Sequence, residues 1–510
     1  MKTFLVTTII CIFLSACYKD HSNSGNLPKE EITVKGIEAL YNKTSFLDSF
    51  DINPQVSSSS PDAAFEYFWG IYDVPDKDPW NARFDTIAYT RQLKCQVNVR
   101  AGKWQLVFCA RNTKTGYASF TTASLVVYTR FTRGWYVVKD NGADTDLDLF
   151  MTPAAATPTG KIENVINLVN HKQLKGAAGS LTLLTSYKST ATGTNSNTRA
   201  LFVWSGEDMM ALDLNTCSII RSYDSLFYSA PPERKPVSLL RAWSDYYMIN
   251  NGRLYSINNT LANTGQFGNA FLRDNDNSVY HLSKYYIASV IILPLLFDET
   301  SSSFVSATGS GAILTKLSDA AGSQMPSADN NKSLLYLGLK NSMSFQGWAI
   351  FQDKTDPALK LLTSVKTDPA MTLFLRNDTL APSSPLYAAT TYTLLYGDEN
   401  LLYCVNANKV WSRNLSNKTE RLQYAAPKGE VITFIRHRKY EGKNEAETPY
   451  YYNYVIIGTK SGNKYKIRLF NKKNGNMDAV PAVILEGTGS ASDILYIAPD
   501  VTETSYASGY

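Results

Sequence analysis

The chain has 510 residues, 50 Lys and Arg against 45 Asp and Glu, 44% apolar and 12% aromatic residues, and six cysteines. At roughly 100–200 residues per domain, that length predicts two or more domains with cores of their own, and the ordinary apolar content excludes a multispan membrane protein and a disordered chain. The net charge of +5 is small and dispersed, which excludes the clustered basic footprint of a nucleic-acid binder.

Lys2 followed by the apolar run Phe4 to Leu14 has the build of an export signal and is too short to span a bilayer comfortably. Leu14-Ser15-Ala16-Cys17 resembles the lipobox of bacterial lipoproteins, in which small residues precede the cut and the cysteine sulfur receives the lipid. The expectation is a signal peptide over residues 1–16, lipid on Cys17, and attachment to a membrane through that lipid rather than through a helix. Residues 17–30 are polar, with Ser, Asn, Gly and Pro, and read as a flexible tether. Further on, the longest apolar run is Ile287 to Phe297, too short for a span. Cys95, Cys109, Cys217 and Cys404 remain after lipidation, in a compartment that permits disulfides. Alternation sets Cys95 with Val97 and Val99 and Cys109 opposite Leu106 and Phe108, so a Cys95–Cys109 bridge stays open; there is no CxxC or zinc-ligand spacing.

Beyond the tether the pattern is β. The 32 Tyr and 22 Phe recur with Thr and Val in short alternating runs, separated by turns of Asn, Asp, Gly and Ser. Residues 31–130 predict a β-sandwich of immunoglobulin size. Its strands are Ile32-Thr33-Val34, Phe50 to Val56, Ala64 to Tyr72, Thr86 to Tyr89, Cys95 to Val99, Trp104 to Ala110 and Phe120 to Tyr128. In Phe65-Glu66-Tyr67-Phe68-Trp69 the odd positions make an aromatic face, and Gly102 to Phe108 alternates in the same way. Two such strands packed on each other are expected to form the core.

From Gly134 onward the pattern is a repeating β-hairpin. Tyr247 to Ile257, Leu401 to Trp411 and Val455 to Ile467 each run apolar strand, polar turn, then a strand bearing an aromatic, with the aromatics at 255, 411 and 465. Those spacings are three times 52, then 54; a further copy spans Leu201 to Leu212. Only Ile162 to Leu174 suggests a helix. A period of roughly 40–55 residues with several strands per unit predicts a β-propeller over residues 131–510, with about seven blades. A blade has two apolar faces that it cannot bury alone, and a ring of blades covers both. The ring must be fastened where the chain enters and leaves it. This predicts Trp135-Tyr136-Val137-Val138 and Ile494-Leu495-Tyr496-Ile497 in one sheet.

Four features together resemble the PKD-like lipoproteins of Bacteroidetes-type bacteria. They are Cys17-Tyr18-Lys19-Asp20, the strand of Tyr67 and Trp69, the Gly102–Trp104 strand, and Gly134-Trp135-Tyr136-Val137-Val138 followed by Asp144 to Phe150. The likeness covers Cys17 to about Phe150 and the remainder loosely. Gly70-Ile71-Tyr72-Asp73 only partly follows the family's acidic, glycine-rich turn, and the residues after Cys17 are not strongly acidic, which leaves the choice between cell surface and periplasmic face open. The resemblance implies an Ig/PKD-like N-terminal domain, a propeller-like C-terminal domain and an outer-membrane lipoprotein. It also implies work beside nutrient-uptake systems of the SusC/SusD type that take in glycan or peptide. It brings no catalytic motif, and none is transferred.

Chemistry-bearing motifs are sparse. His21, His171, His281 and His437 stand apart, with no HExxH and no i,i+4 pair. There is no GxSxG elbow, phosphate loop or dinucleotide fingerprint, so no cofactor is expected. Asp208, Asp245, Asp353 and Glu399 could bring carboxylates to a propeller mouth, as a glycosidase requires, but a chain with 45 acids offers such candidates in any case. Asp140, Asp144 and Asp146 are calcium candidates without EF-hand spacing. A hairpin turn at Lys139-Asp140-Asn141-Gly142, followed by a strand with Asp144, Asp146 and Asp148 on its wet face, accounts for them better. Asp274-Asn275-Asp276-Asn277 is similar and weaker. Binding is where the composition leans. Trp80 lies in a long polar loop, and Tyr450, Tyr451, Tyr452 and Tyr454 follow the charged Glu441–Glu447 loop. Flat rings with polar tips stack on sugars or anchor protein partners, although tyrosine also fills blades. The expected function is a non-enzymatic, lipid-anchored binding or scaffold protein of the envelope. The alternatives are a propeller-based polysaccharide hydrolase or lyase and a structural envelope protein without a small ligand.

Overall fold

The computed structural model describes residues 30–45, 48–74, 84–99, 101–192, 197–243, 245–257, 264–273, 278–341, 345–442 and 445–499. The expected signal peptide and tether with Cys17, the loop residue Trp80 and the Asp274–Asn277 stretch lie outside the described residues. The chain divides into two compact units between Thr129 and Arg130. Among the described residues no helix is long and apolar enough to cross a membrane.

In the first unit, nine strands are described, in three sheets. The largest has the order Leu40–Thr44, Ala118–Tyr128, Gly102–Asn112, Phe65–Asp73, Phe84–Ala88; Ile32–Lys35 pairs with Gln55–Ser58, and Ser49–Ile52 with Leu93–Gln96. Their inward side chains share one core around Phe50, Trp69, Leu93, Phe108 and Leu125. The run expected as a single strand from Phe50 to Val56 is two. Pro54 has no N–H for a ladder, and at Asn53-Pro54 the chain changes partner strands. Leu40–Thr44 escaped the sequence pattern because Leu-Tyr-Asn-Lys-Thr is mostly polar; it pairs in parallel with Ala118–Tyr128. The two aromatic strands do not pack face to face as expected. They are neighbours in one sheet, Trp69 opposite Phe108 with rings 4.7 Å apart, and together they line one face. The same alternation separates the cysteines. Cys95 packs on the core, Cys109 sits between Phe68 and Phe120 on the other face, and both thiols are free.

The second unit is a succession of antiparallel sheets whose first strands form a ring. Those strands are Ser490–Ile497, Ala178–Lys188, Pro236–Ala242, Ile287–Ser289, Lys332–Asn341, Thr391–Leu394 and Val431–Tyr440. Each comes within 8 Å of the next between Cα atoms, and the last returns to the first. Numbered in that order, the seven sheets stack their apolar faces on one another, a propeller-like arrangement. The third sheet has only Pro236–Ala242, Asp245–Asn250 and Arg253–Ile257. Its outer edge is met by an irregular stretch in which Gly268 and Phe271 donate N–H groups to the Ser256 and Leu254 carbonyls.

The repeating hairpins are the second and third strands of the second, third, sixth and seventh sheets. The turn at Asn251-Gly252 has φ of 47° and 71°, the left-handed pair that a tight hairpin between twisted strands needs. The helical stripe is realised as a short helix, Val165–Asn170. The ring is fastened in the first sheet. Gly134–Asp140 pairs with Asp144–Met151 on one side and with Ser490–Ile497 on the other, Trp135 facing Tyr496. Gly134 is required there, since a Cβ would strike the Phe150 carbonyl oxygen.

Candidate ligand-binding cavity

The structure gives the tyrosine group a structural task. Tyr450, Tyr452 and Tyr454 are buried in the core that joins the seventh sheet to the first. The Trp135 ring lies 4.7 Å from Tyr452 and 4.8 Å from Tyr496, while Tyr452 stacks on Tyr454 at 5.3 Å. Arg133 lies 3.7 Å over the Tyr450 ring and holds both oxygens of Glu447, at 2.7 and 2.8 Å. Tyr450 donates to the Pro153 carbonyl and the Trp135 indole to the Ala156 carbonyl. Tyr450 and Tyr452 therefore cannot serve as an open platform; Tyr451 keeps 37% exposure and donates to the Gly442 carbonyl.

The calcium candidates are committed elsewhere. Asp140 accepts N–H groups from Gly142 and Ala178, and Asp144 accepts Lys175 Nζ at 2.9 Å. Asp146 and Asp148 are not on a wet face as expected; both are buried. Asp146 accepts from Ile166 and Asn167 at the start of the short helix and from Gln173, and burial pushes its carboxyl pKa up. Asp148 lies 3.1 Å from Lys139 and 3.4 Å from Lys161 and accepts the Tyr465 hydroxyl at 2.7 Å. Among the described residues no group of three or more His, Cys, Asp or Glu is placed to hold a metal.

The acids weighed for catalysis are dispersed. Asp208 belongs to the turn between the second and third strands of the second sheet, Asp245 begins the second strand of the third, and Asp353 pairs with Lys332 at 2.6 Å. Glu399 and Asp398 share Lys472, 2.7 Å from Asp398 Oδ2. Asn453 links Asp398 to His437, its Oδ1 2.8 Å from His437 Nε2. Burial drives the His437 pKa down to about 4, so the ring is neutral at pH 7. Beside it, Lys340 donates to the carbonyls of Leu395, Asp398 and Glu399 at 2.7–2.8 Å, and burial lowers its pKa to about 8. This closed network pins the 395–400 loop.

An open site lies instead on the axis of the ring, in a cavity of about 530 Å³. At or just before the first strands, six sheets contribute to its wall: Ser180, Pro236, Tyr285, Thr391, Arg436 and Ser492. No Asp, Glu or His lines it among the described residues. Lys284 reaches water inside the cavity, yet the surrounding protein, and then Arg436, push its pKa below the usual lysine value. Behind the wall Arg436 Nε donates to Asp493 Oδ1 at 2.9 Å, Arg438 stands 3.7 Å from the same oxygen, and Ser180 donates to Oδ2. Burial opposes the charge on Asp493, but the two arginines and Ser180 outweigh it and hold the carboxyl below its usual range. Thr433 Oγ1, in the wall, and Arg438 Nε are buried without a hydrogen-bond partner among the described residues. Each such donor costs about 1–3 kcal/mol until something pairs with it.

Residues 17–178 match the model of the PKD-like family. The PKD-like region thus includes the described first unit, then Gly134–Asp140, Asp144–Met151, the short helix and the beginning of the second sheet. Every cavity residue after Ala178 lies beyond it. No curated protein matches the chain. Among solved structures, a quinonprotein alcohol dehydrogenase-like protein from Bacteroides thetaiotaomicron VPI-5482 is similar at 13% identity and a TM-score of 0.42, covering 89% of this chain and 96% of its own. An apocarotenoid oxygenase mutant from Synechocystis is similar at 9% identity and 0.35, over 87% and 97%. YCF48 from Cyanidioschyzon merolae stands at 10% and 0.33, over 72% and 99%. No activity is carried from these proteins to this chain.

Sequence reasoning missed Lys284, Thr433 and Arg436 as site residues. One signal was present. In Val431 to Tyr440 the apolar strand turns cationic at alternate positions, Arg436 and Arg438, so one face calls for a counter-charge that a single Asp493 in the neighbouring first strand supplies.

Proposed function

We propose that this protein is a binding component of the bacterial cell envelope, exported and held at the outer membrane by lipid on Cys17, and that it does not catalyse a reaction. In this reading the PKD-like sandwich is a spacer, and the second unit is a seven-bladed β-propeller that presents a preformed axial site. The observation that supports it is the axial cavity. Its size suits a small ligand or the end of a chain, six blades contribute to its wall, and that wall carries hydroxyls and cations. A two-carboxylate hydrolase would need acids across such a mouth, and none of the described lining residues is one. In this reading the protein works beside uptake systems of the SusC/SusD type, with glycan or peptide as cargo.

The mature protein, screened on a glycan and peptide array, is expected to bind members of one ligand class without turning them over. Binding should protect backbone amides around 178–180 and 433–436 from hydrogen exchange. Cys17→Ala is expected to abolish incorporation of labelled fatty acid and to release the protein from the membrane fraction. Robust turnover of a polysaccharide, or protection confined to other segments, would overturn the reading.

A further inference from the structure

We infer that the hairpin end of the sandwich, Asn112 to Phe120, rests against the lipid surface, with Tyr117 and Phe120 entering its interfacial layer. The inference deepens the proposed envelope role and rests on lipid at Cys17.

The place where the chain enters the first unit carries the assignment. Glu30 is the first described residue. Its carboxylate accepts the Ser58 hydroxyl at 2.5 Å, the Asn112 side-chain amide at 2.8 Å, and the Thr115 hydroxyl. Asn112 ends the strand Gly102–Asn112, and Thr115 lies in the link from that strand to Ala118–Tyr128. The entry point is therefore fixed at one end of this hairpin. Glu30 stands thirteen positions after Cys17. Even fully extended, that stretch places the lipid no more than about 45 Å from Glu30. A contact between the hairpin and the bilayer is then intramolecular, so side chains too few to hold a free protein suffice.

The surface at that end fits. Tyr117, in the link, is 43% exposed and Phe120 62%. Phe120 lies on the sheet face away from the core, opposite Cys109, with its ring 6.2 Å from that of Phe68. Farther along the same strand, Thr122 and Ser124 are exposed instead. Aromatic surface is thus concentrated where the lipid-bearing segment attaches. A tyrosine ring with its polar tip suits the headgroup layer, and a phenylalanine ring the boundary just beneath it. Charge does not select this end. Lys114 is exposed in the link, but Arg111 faces Glu66 at 3.2 Å, and Glu30, Glu31 and Asp62 belong to the segments that meet the hairpin there. The contact is apolar and needs no anionic lipid.

The lipidated full chain in phosphatidylcholine vesicles is compared by hydroxyl-radical footprinting with Cys17→Ala protein in solution. Tyr117 and Phe120 are expected to react at least about threefold less on the vesicles, and to stay protected at high salt. Tyr128, 52% exposed at the far end of Ala118–Tyr128, should react equally in both. Phe120→Asp should return Tyr117 to its solution reactivity with an unchanged melting temperature, whereas Tyr128→Asp should leave Tyr117 protected. Tyr117 and Phe120 that stay reactive in a lipid-bearing, vesicle-bound protein overturn the inference and leave the lipoprotein reading intact. Equal protection of Tyr128, or protection that salt abolishes, overturns it as well. Protection in the Cys17→Ala protein that grows with its concentration, without vesicles, overturns it in favour of a second copy of this chain. A chain that takes up no lipid overturns both the inference and the reading beneath it.

Discussion

Arginine meets aromatic rings at two places in the second unit, and the two are completed differently. At the seam between the seventh and first sheets, Arg133 lies 3.7 Å over Tyr450 and both its contacts to Glu447 are short, with every ring around it packed against another. At the axis, Arg436 lies 5.7 Å from the Phe434 ring and shares Asp493 with Arg438, beside a lysine in the cavity wall. The first place balances its charges and excludes water. The second divides one carboxylate between two guanidinium groups beside an open cavity. Residue type does not distinguish a core from a binding site; charge balance and access do.

That contrast can be broken or sharpened by substitution. Trp135→Ala opens a hole among Tyr452, Tyr454 and Tyr496 and should cost about 3–5 kcal/mol in chemical denaturation. Glu447→Ala leaves Arg133 half-enclosed without its carboxylate and should cost roughly 2–3 kcal/mol, with Glu447→Gln recovering part of it. A further effect depends on pH. His437 is neutral in the folded protein down to about pH 4, whereas in the unfolded chain it takes up a proton near 6.5. The unfolded state therefore binds more protons between those values, and stability should fall as pH drops from about 6.5 to about 4, a slope that His437→Gln removes in melting experiments. Lys284→Gln should change stability least, within about 0.5 kcal/mol, because the residue is exposed. A large loss from that last change would mean that the axis is built like the seam.

Much of the architecture was legible because it is written locally. The Asn251-Gly252 turn and its counterparts mark hairpins within a dozen residues, and the spacing of Tyr255, Trp411 and Tyr465 reports the repeat. The pairing of Trp135 with Tyr496 followed from the need of a ring to be fastened. Elements whose partners are remote were not legible. Leu40–Thr44 is a strand only because Ala118–Tyr128 is beside it. Asp146 and Asp148 alternate like surface residues and are buried because a helix start, two lysines and Tyr465 satisfy them. Tyr450 to Tyr454 have the polar surroundings of a loop platform until Arg133 and Trp135 arrive from three hundred residues upstream. The cavity is the extreme case, since no first strand contributes more than three residues and no window of sequence contains the site.

The position of Ser490–Ile497 in the first sheet has a consequence for biogenesis. Among the described strands it is made last, and it is the one with which Gly134–Asp140 pairs on its free side. Until then the nascent protein carries an unsatisfied ladder of amides and carbonyls, a natural target for holdases and degradative enzymes. A copy cut short before Gly489 would keep that edge of Gly134–Asp140 open.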